Sequence, residues 1–215
     1  GLDKRFVVSY IGTIGMAHGL ETLLDAAGML KARLADALVL VVGEGAERER
    51  IEKLASERGL TNIRFMGQRP RSEIADLVGA SDACLVLLRQ SEVFKTVLPS
   101  KLLEFMACGT PSVVAVDGYA RQLITESNAG VYVPNGDAVA LTTAIIQLSR
   151  DPGARAWLGG NGREFVSKRF SRRIKALQYL RALDALSSLN PTPAHARQAP
   201  RTLHRALNAG HAQHQ

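Results

Sequence analysis

Val97-Leu98-Pro99-Ser100-Lys101-Leu102-Leu103-Glu104-Phe105-Met106-Ala107-Cys108-Gly109-Thr110-Pro111-Ser112-Val113-Val114 reads as a loop, a short helix, a glycine stop and a buried strand. Proline in a first helical turn loses no hydrogen bond, which starts the helix near Pro99. Glycine suits the left-handed residue that closes a helix, which ends it at Gly109. Leu102, Leu103, Phe105 and Met106 would hold the helix against a sheet, leaving Ser100, Lys101 and Glu104 as the polar groups of its first turns. Free backbone N–H groups and the positive end of the helix dipole make such a start an anion site. Lys101 adds charge, and Glu104, one turn in, can accept hydrogen bonds from a sugar diol. Phosphate beside ribose describes a nucleoside diphosphate. An ordinary helix cap in an α/β protein is the other reading these residues allow.

Outward from this stretch the same order repeats. Apolar, β-rich runs predict strands over 6–11, 37–42, 62–66, 83–88, 112–116 and 130–133. Amphipathic segments predict helices over 19–34, 46–58, 71–79, 120–127, 137–149, 154–169 and 171–186. Strands alternating with helices through short connections imply a Rossmann-like α/β fold, a parallel sheet with helices on both faces. Ligands of such sheets sit beyond the carboxyl ends of the strands, near the switch point of strand order. Three loops at such ends carry glycine: Gly12-Thr13-Ile14-Gly15-Met16-Ala17-His18-Gly19, Gly43-Glu44-Gly45 and Gly67-Gln68-Arg69-Pro70. The first lets backbone approach a phosphate, though it is no Gly-x-Gly-x-x-Gly fingerprint. The second reads as a tight turn with an exposed carboxylate, and Pro70 as the start of a helix.

The 215 residues suit one domain with a tail, and a hydrophobic content of 46% is ample for a core. No apolar run approaches the roughly 18 residues of a membrane span. The opening Gly1-Leu2-Asp3-Lys4-Arg5, without an initiator Met, suggests a fragment or excised domain, and no secretory leader is predicted. Cys84 and Cys108 read as buried small hydrophobes in a reducing, cytoplasmic setting. The net charge is +7, and since residues 190–215 hold three Arg and no acid, the preceding body carries +4. Mild basicity fits an anionic ligand or membrane surface. With aromatics at 5% and no basic–aromatic stripe, nucleic acid is not an expected partner. One folded domain over 1–189 and a disordered, basic, histidine-containing tail over 190–215 are expected. His195, His204, His211 and His214 match no zinc spacing, and no metal or other cofactor is expected.

The stretch at 99–114 resembles the donor-binding motif of retaining glycosyltransferases with two Rossmann-like domains, the GT-B architecture. Members of their family four carry a Pro-Ser, a Glu on the following helix, then Ala-Met-Ala-Cys-Gly-x-Pro-Val-Val. Pro99, Ser100, Glu104 and Phe105-Met106-Ala107-Cys108-Gly109-Thr110-Pro111-Ser112-Val113-Val114 stand here in that order. The form Pro-Ser-Lys-x-x-Glu is most similar to the branch that transfers amino-deoxy sugars in bacterial surface-polysaccharide assembly.

The resemblance implies the C-terminal, nucleotide-sugar-binding domain of such an enzyme. Its donor would be a nucleotide-diphosphate sugar, UDP-linked, and its acceptor a glycan or lipid-linked glycan. The acceptor and any catalytic base would belong to an N-terminal Rossmann domain absent from this chain, which alone would bind without turnover. Peripheral association with the cytoplasmic face of the inner membrane is also implied. The binding residues carried over are Gly12, Gly15, His18, Gln68, Arg69, Pro99, Ser100, Lys101, Leu102 and Glu104. Lys101 and Lys95 are the catalytic candidates, stabilising charge on the leaving diphosphate, and Glu104 anchors the ribose.

Three positions depart from the family pattern. Thr13 stands where an Arg is usual and His18 where a Lys is, so His18 is either beside the ligand or a solvated helix-cap histidine. Thr96 stands where the first of two glutamates eight apart is usual, with Glu92 nearby but out of register. A non-catalytic nucleotide- or partner-binding remnant and a UDP-sugar epimerase of the same architecture are the alternative functions.

Overall fold

Apolar residues along β1 (Phe6–Ile11), interrupted by Ser9, and throughout β2 (Ala37–Val42) leave neither face for water, and both strands are buried at every residue. That is the pattern of a parallel sheet covered on both sides. The computed structural model describes Leu2 and residues 4–189. The remaining strands are β3 (Ile63–Gly67), β4 (Ala83–Leu87), β5 (Ser112–Ala115) and β6 (Gly130–Tyr132). All pairings are parallel, in the order β3-β2-β1-β4-β5-β6, with Phe6 opposite Ala37, Val8 opposite Ala83 and Cys84 opposite Ser112. The order reverses between β1 and β4, which opens a crevice beyond their carboxyl ends.

Among the described residues the α-helices are α1 (Glu21–Arg33), α2 (Arg48–Glu57), α3 (Arg71–Gly79), α4 (Ser100–Cys108), α5 (Tyr119–Ser127), α6 (Ala138–Arg150), α7 (Pro152–Arg169) and α8 (Arg172–Leu189). Side chains alternate across each strand, so the core has two parts. Phe6, Val8, Tyr10, Val39 and Val41 pack with Leu23, Leu24 and Leu30 of α1 and Ile145 of α6. Val7, Ile11, Leu40 and Val42 pack with Leu102, Phe105 and Met106 of α4 and Ile124 of α5. Each such Leu, Ile or Phe contributes roughly 1.5–3 kcal/mol over its exposed state.

The structure adds what hydrophobic spacing misses. One-turn 3-10 helices at Met16–His18 and Val93–Thr96 occupy loops read as irregular. Helix α7 begins at Pro152, two residues early, because the Asp151 carboxylate accepts from Ala154 N at 2.8 Å. It then runs unbroken through Gly159, Gly160 and Gly162. Two compact units divide the chain, residues 1–174 and 175–215. The first holds the sheet and every site residue discussed below. The second contains most of α8, on which Tyr179, Leu180 and Leu186 are exposed. The expected tail, 190–215, lies outside the described residues. Among the described residues no helix is long and apolar enough to cross a membrane.

Candidate functional site

Beyond the strands, the first three loops stay tied in a row. Gly12 N donates to Val42 O at 2.9 Å, Ile14 N to Glu44 O at 2.8 Å and Gly43 N to Gly67 O at 2.9 Å. Backbone thus meets backbone past β1, β2 and β3, and Ile14, fully buried, pins the first loop from below. A Cβ at Gly43, whose φ is +145°, would run into the Gly12 carbonyl. A Cβ at Gly12, at φ +143°, would run into the Lys101 ammonium. Only glycine lets the two loops and Lys101 converge.

Helix α4 closes the cleft from the other side. Pro99, extended at φ −63° and ψ 120°, precedes Ser100 without a side-chain cap, and the helix ends at Gly109 in the left-handed region. Burial of Leu102, Phe105 and Met106 sets its rotation. Ser100 and Glu104, one turn apart, are thereby exposed, while Lys101 is half-buried toward the loops. Gly12, Thr13, Gly43, Glu44, Gln68, Arg69, Ser100, Lys101 and Glu104 line one cavity of about 430 Å³. Six of the residues expected from sequence, Gly12, Gln68, Arg69, Ser100, Lys101 and Glu104, therefore share a site.

Within the cavity wall, Lys101 Nζ lies 3.3 Å from the Tyr10 hydroxyl and 4.3 Å from its ring centroid. Burial pulls the lysine pKa down to about 8, with the Glu104 charge opposing. No carboxylate among the described residues forms an ion pair with it, and Glu104 has no hydrogen-bond partner there. Arg69 on the rim donates to Glu73 at 3.0 Å, and Arg48 pairs with Glu44.

The other expected residues fall elsewhere. Leu102 is fully buried, and its N–H donates to Pro99 O at 3.0 Å. Gly15 lies beneath His18, whose Nδ1 is 3.3 Å from the Gly15 carbonyl. His18 stands edge-on to Tyr10 at 6.1 Å and lines a neighbouring cavity of about 370 Å³ with Arg89, Gln90 and Asn135. Burial, then the Lys101 charge, hold its pKa below the usual value, against the Gly15 contact. Lys95 lies within the turn Val93–Thr96, is ion-paired with Glu92 at 2.7 Å, and lines a third cavity of about 160 Å³ with Asp117. The hydrogen bond and charge of Glu92 raise its pKa. The two lysines do not meet in one site. Thr96, at the position of the usual first glutamate, donates its hydroxyl to Val93 O at 3.0 Å within its own loop.

Tyr10 was legible only as strand, although a phenol two residues before a glycine loop is a signal of a polar need at that end of β1. Among the described residues, no three His, Cys, Asp or Glu side chains gather as a metal site would require.

Residues 2–165 match the family of glycosyl transferases group 1. The chain belongs to that family. As a group 1 glycosyl transferase chain, it is 32% identical over 119 residues to the Escherichia coli (strain K12) protein named for colanic acid biosynthesis, the glycosyl transferase WcaI; the match covers 55% of this chain and 28% of that protein. The solved structure of Anabaena Alr3699/HepE with UDP and glucose has a TM-score of 0.74 at 23% identity, over 86% of this chain and 49% of that one. The C-terminal domain of the Francisella tularensis glycosyl transferase group 1 family protein LpcC has a TM-score of 0.65 at 20% identity, over 78% of this chain and 87% of that one. Both structural likenesses speak for the fold. The chain spans less than half the length of the curated relatives it matches.

Proposed function

We propose that this chain, over 1–189, is the donor-binding C-terminal domain of a GT-B glycosyltransferase and that the 430 Å³ cleft takes the nucleoside diphosphate of a UDP-sugar. The observation that carries the reading is the convergence of a half-buried lysine with no carboxylate partner, an unpartnered glutamate and the start of α4 on backbone loops kept free of side chains. The α4 start and Lys101 meet the diphosphate, Glu104 the ribose hydroxyls, and Gln68 with Arg69 the base. UDP in the Anabaena neighbour and the solved Francisella C-terminal domain support the assignment.

Cleavage of the bond between the anomeric carbon and phosphate builds oxocarbenium character on the sugar and negative charge on the leaving diphosphate. Fixed N–H dipoles and the Lys101 ammonium, in place before that charge develops, stabilise it. Lys95, which lines a separate cavity beside Asp117, is the second candidate for stabilising the leaving diphosphate. The acceptor is a glycan or lipid-linked glycan in cell-surface polysaccharide synthesis, as the name of the E. coli relative suggests, with an amino-deoxy sugar as the transferred group. The enzyme works at the cytoplasmic face of the membrane, and turnover requires an N-terminal Rossmann domain. A binding-only role is the second reading, favoured by Thr96 turning its hydroxyl into its own loop where relatives of this motif place a glutamate.

Thermal melting of the chain with UDP and with uridine tests the proposal. UDP is expected to raise the melting temperature well beyond the uridine effect. Equal shifts would remove the diphosphate from the cleft.

A further inference from the structure

A tyrosine whose hydroxyl is buried needs hydrogen-bond partners, or phenylalanine would serve better. Tyr10 is 0% exposed and has two. Its hydroxyl donates to Thr13 O at 2.6 Å, so the proton is spent on the β1 loop and a lone pair is left for Lys101 Nζ at 3.3 Å. The ring lies under the same ammonium at 4.3 Å, a cation–π contact. One side chain from the penultimate residue of strand β1 therefore ties the glycine loop to the start of α4, 91 residues away in sequence.

We infer that Tyr10 is a positioning residue of the donor site: its ring and oxygen hold the Lys101 ammonium beneath the Gly12 loop, ready for the diphosphate. The inference rests on the proposed reading of the cleft as a diphosphate site. Lysine has four rotatable bonds, and a cation that must find its rotamer when ligand arrives loses affinity in doing so. Here the search is over beforehand. The groups that face the ammonium are few. Tyr10 approaches from β1, and His18 lies behind it on the turn Met16–His18. Glu104 supplies the attracting charge from α4 itself, and Glu44 across the cleft is engaged by Arg48. His18, neutral near pH 8, adds no opposing charge there.

Tyr10→Phe keeps the ring and its cation–π contact and removes the oxygen. Calorimetric titration of the full chain with UDP and with uridine between pH 6.5 and 9.5 (roughly the range in which a lysine so buried changes charge) reads the effect. The UDP Kd is expected to rise about five- to tenfold at pH 8, as for a lost charged hydrogen bond, and the uridine Kd to stay put. The pH at which UDP affinity falls is expected to move lower, because the ammonium has lost an acceptor that favours its charged form. An unchanged UDP Kd, or UDP and uridine weakened alike, overturns the inference, as does loss of the folded state on melting. If the unaltered protein fails to prefer UDP over uridine, the reading of the cleft itself falls. If it prefers UDP and Tyr10→Phe does so equally, only the role of Tyr10 falls.

Discussion

Replacing Lys101 by Met is expected to make the ligand-free protein more stable and worse at its task. The folded state holds the Lys101 ammonium in partial burial with a tyrosine hydroxyl for company, so its pKa falls from the ordinary 10.5 to about 8. Between those values the unfolded chain binds more protons than the folded one, so stability rises with pH across the window from about 8 to 10.5 and is flat below it. At pH 7 the whole penalty is present, and at roughly 1.36 kcal/mol per pH unit it amounts to about 3 kcal/mol. Methionine has a similar length, fills the same channel and carries no charge. Urea unfolding at pH 7 should show Lys101→Met more stable by about 2–3 kcal/mol, or about 5–10 °C in melting temperature at roughly 2–4 °C per kcal/mol. At pH 10.5 the gap should shrink toward zero, since the native lysine is then neutral. Comparing the two proteins at each pH cancels the other titrating groups. The same variant should lose its preference for UDP over uridine. A variant that is less stable at pH 7, or a gap that ignores pH, would show that the ammonium is better solvated or paired than the geometry allows.

Glu104→Gln should weaken UDP by roughly tenfold while leaving a 2′,3′-dideoxyribose analogue nearly untouched, the loss expected of a charged hydrogen bond to a ribose hydroxyl; equal losses measured by titration would make Glu104 structural. On α7, a Cβ at Gly159 would strike the Gly109 carbonyl, whereas one at Gly160 meets nothing within 4 Å. Gly159→Ala is therefore expected to destabilise by about 1–3 kcal/mol through overpacking. Gly160→Ala should stabilise by about 0.5–1 kcal/mol through helix propensity. Matching signs for the two in denaturant unfolding would refute the close approach of α7 to the end of α4.

The strands were legible where apolar, valine-rich runs were nearly continuous, as in 6–11 and 37–42, because burial on both faces demands such runs. The short 3-10 turns were not, since three or four residues carry no period and their formation depends on what they pack against. Pro99 and Gly109 bound α4 in the sequence because proline fixes φ locally and glycine alone readily takes the positive φ that stops the helix. Lys95 and Lys101 looked equivalent in sequence, two cations flanking one helix start. What separates them is tertiary: Lys95 finds Glu92 three residues back, while Lys101 is turned inward by the burial of Leu102, Phe105 and Met106. Tyr10, by contrast, is an aromatic in an apolar strand and looks like core filling until the distant lysine is seen above it.

The crossing of the first two loops is made of carbonyl and amide groups, with no side chain between them. Such a surface has little to vary. Substitution at Gly12 or Gly43 destroys the approach instead of retuning it, so a library aimed at new donors would waste those positions. The adaptable part of the rim is Thr13, Gln68 and Arg69, whose side chains reach the cleft from loops whose course the backbone has already set. Selection for a different nucleobase should draw its winners from Gln68 and Arg69, with the glycines unchanged in every survivor.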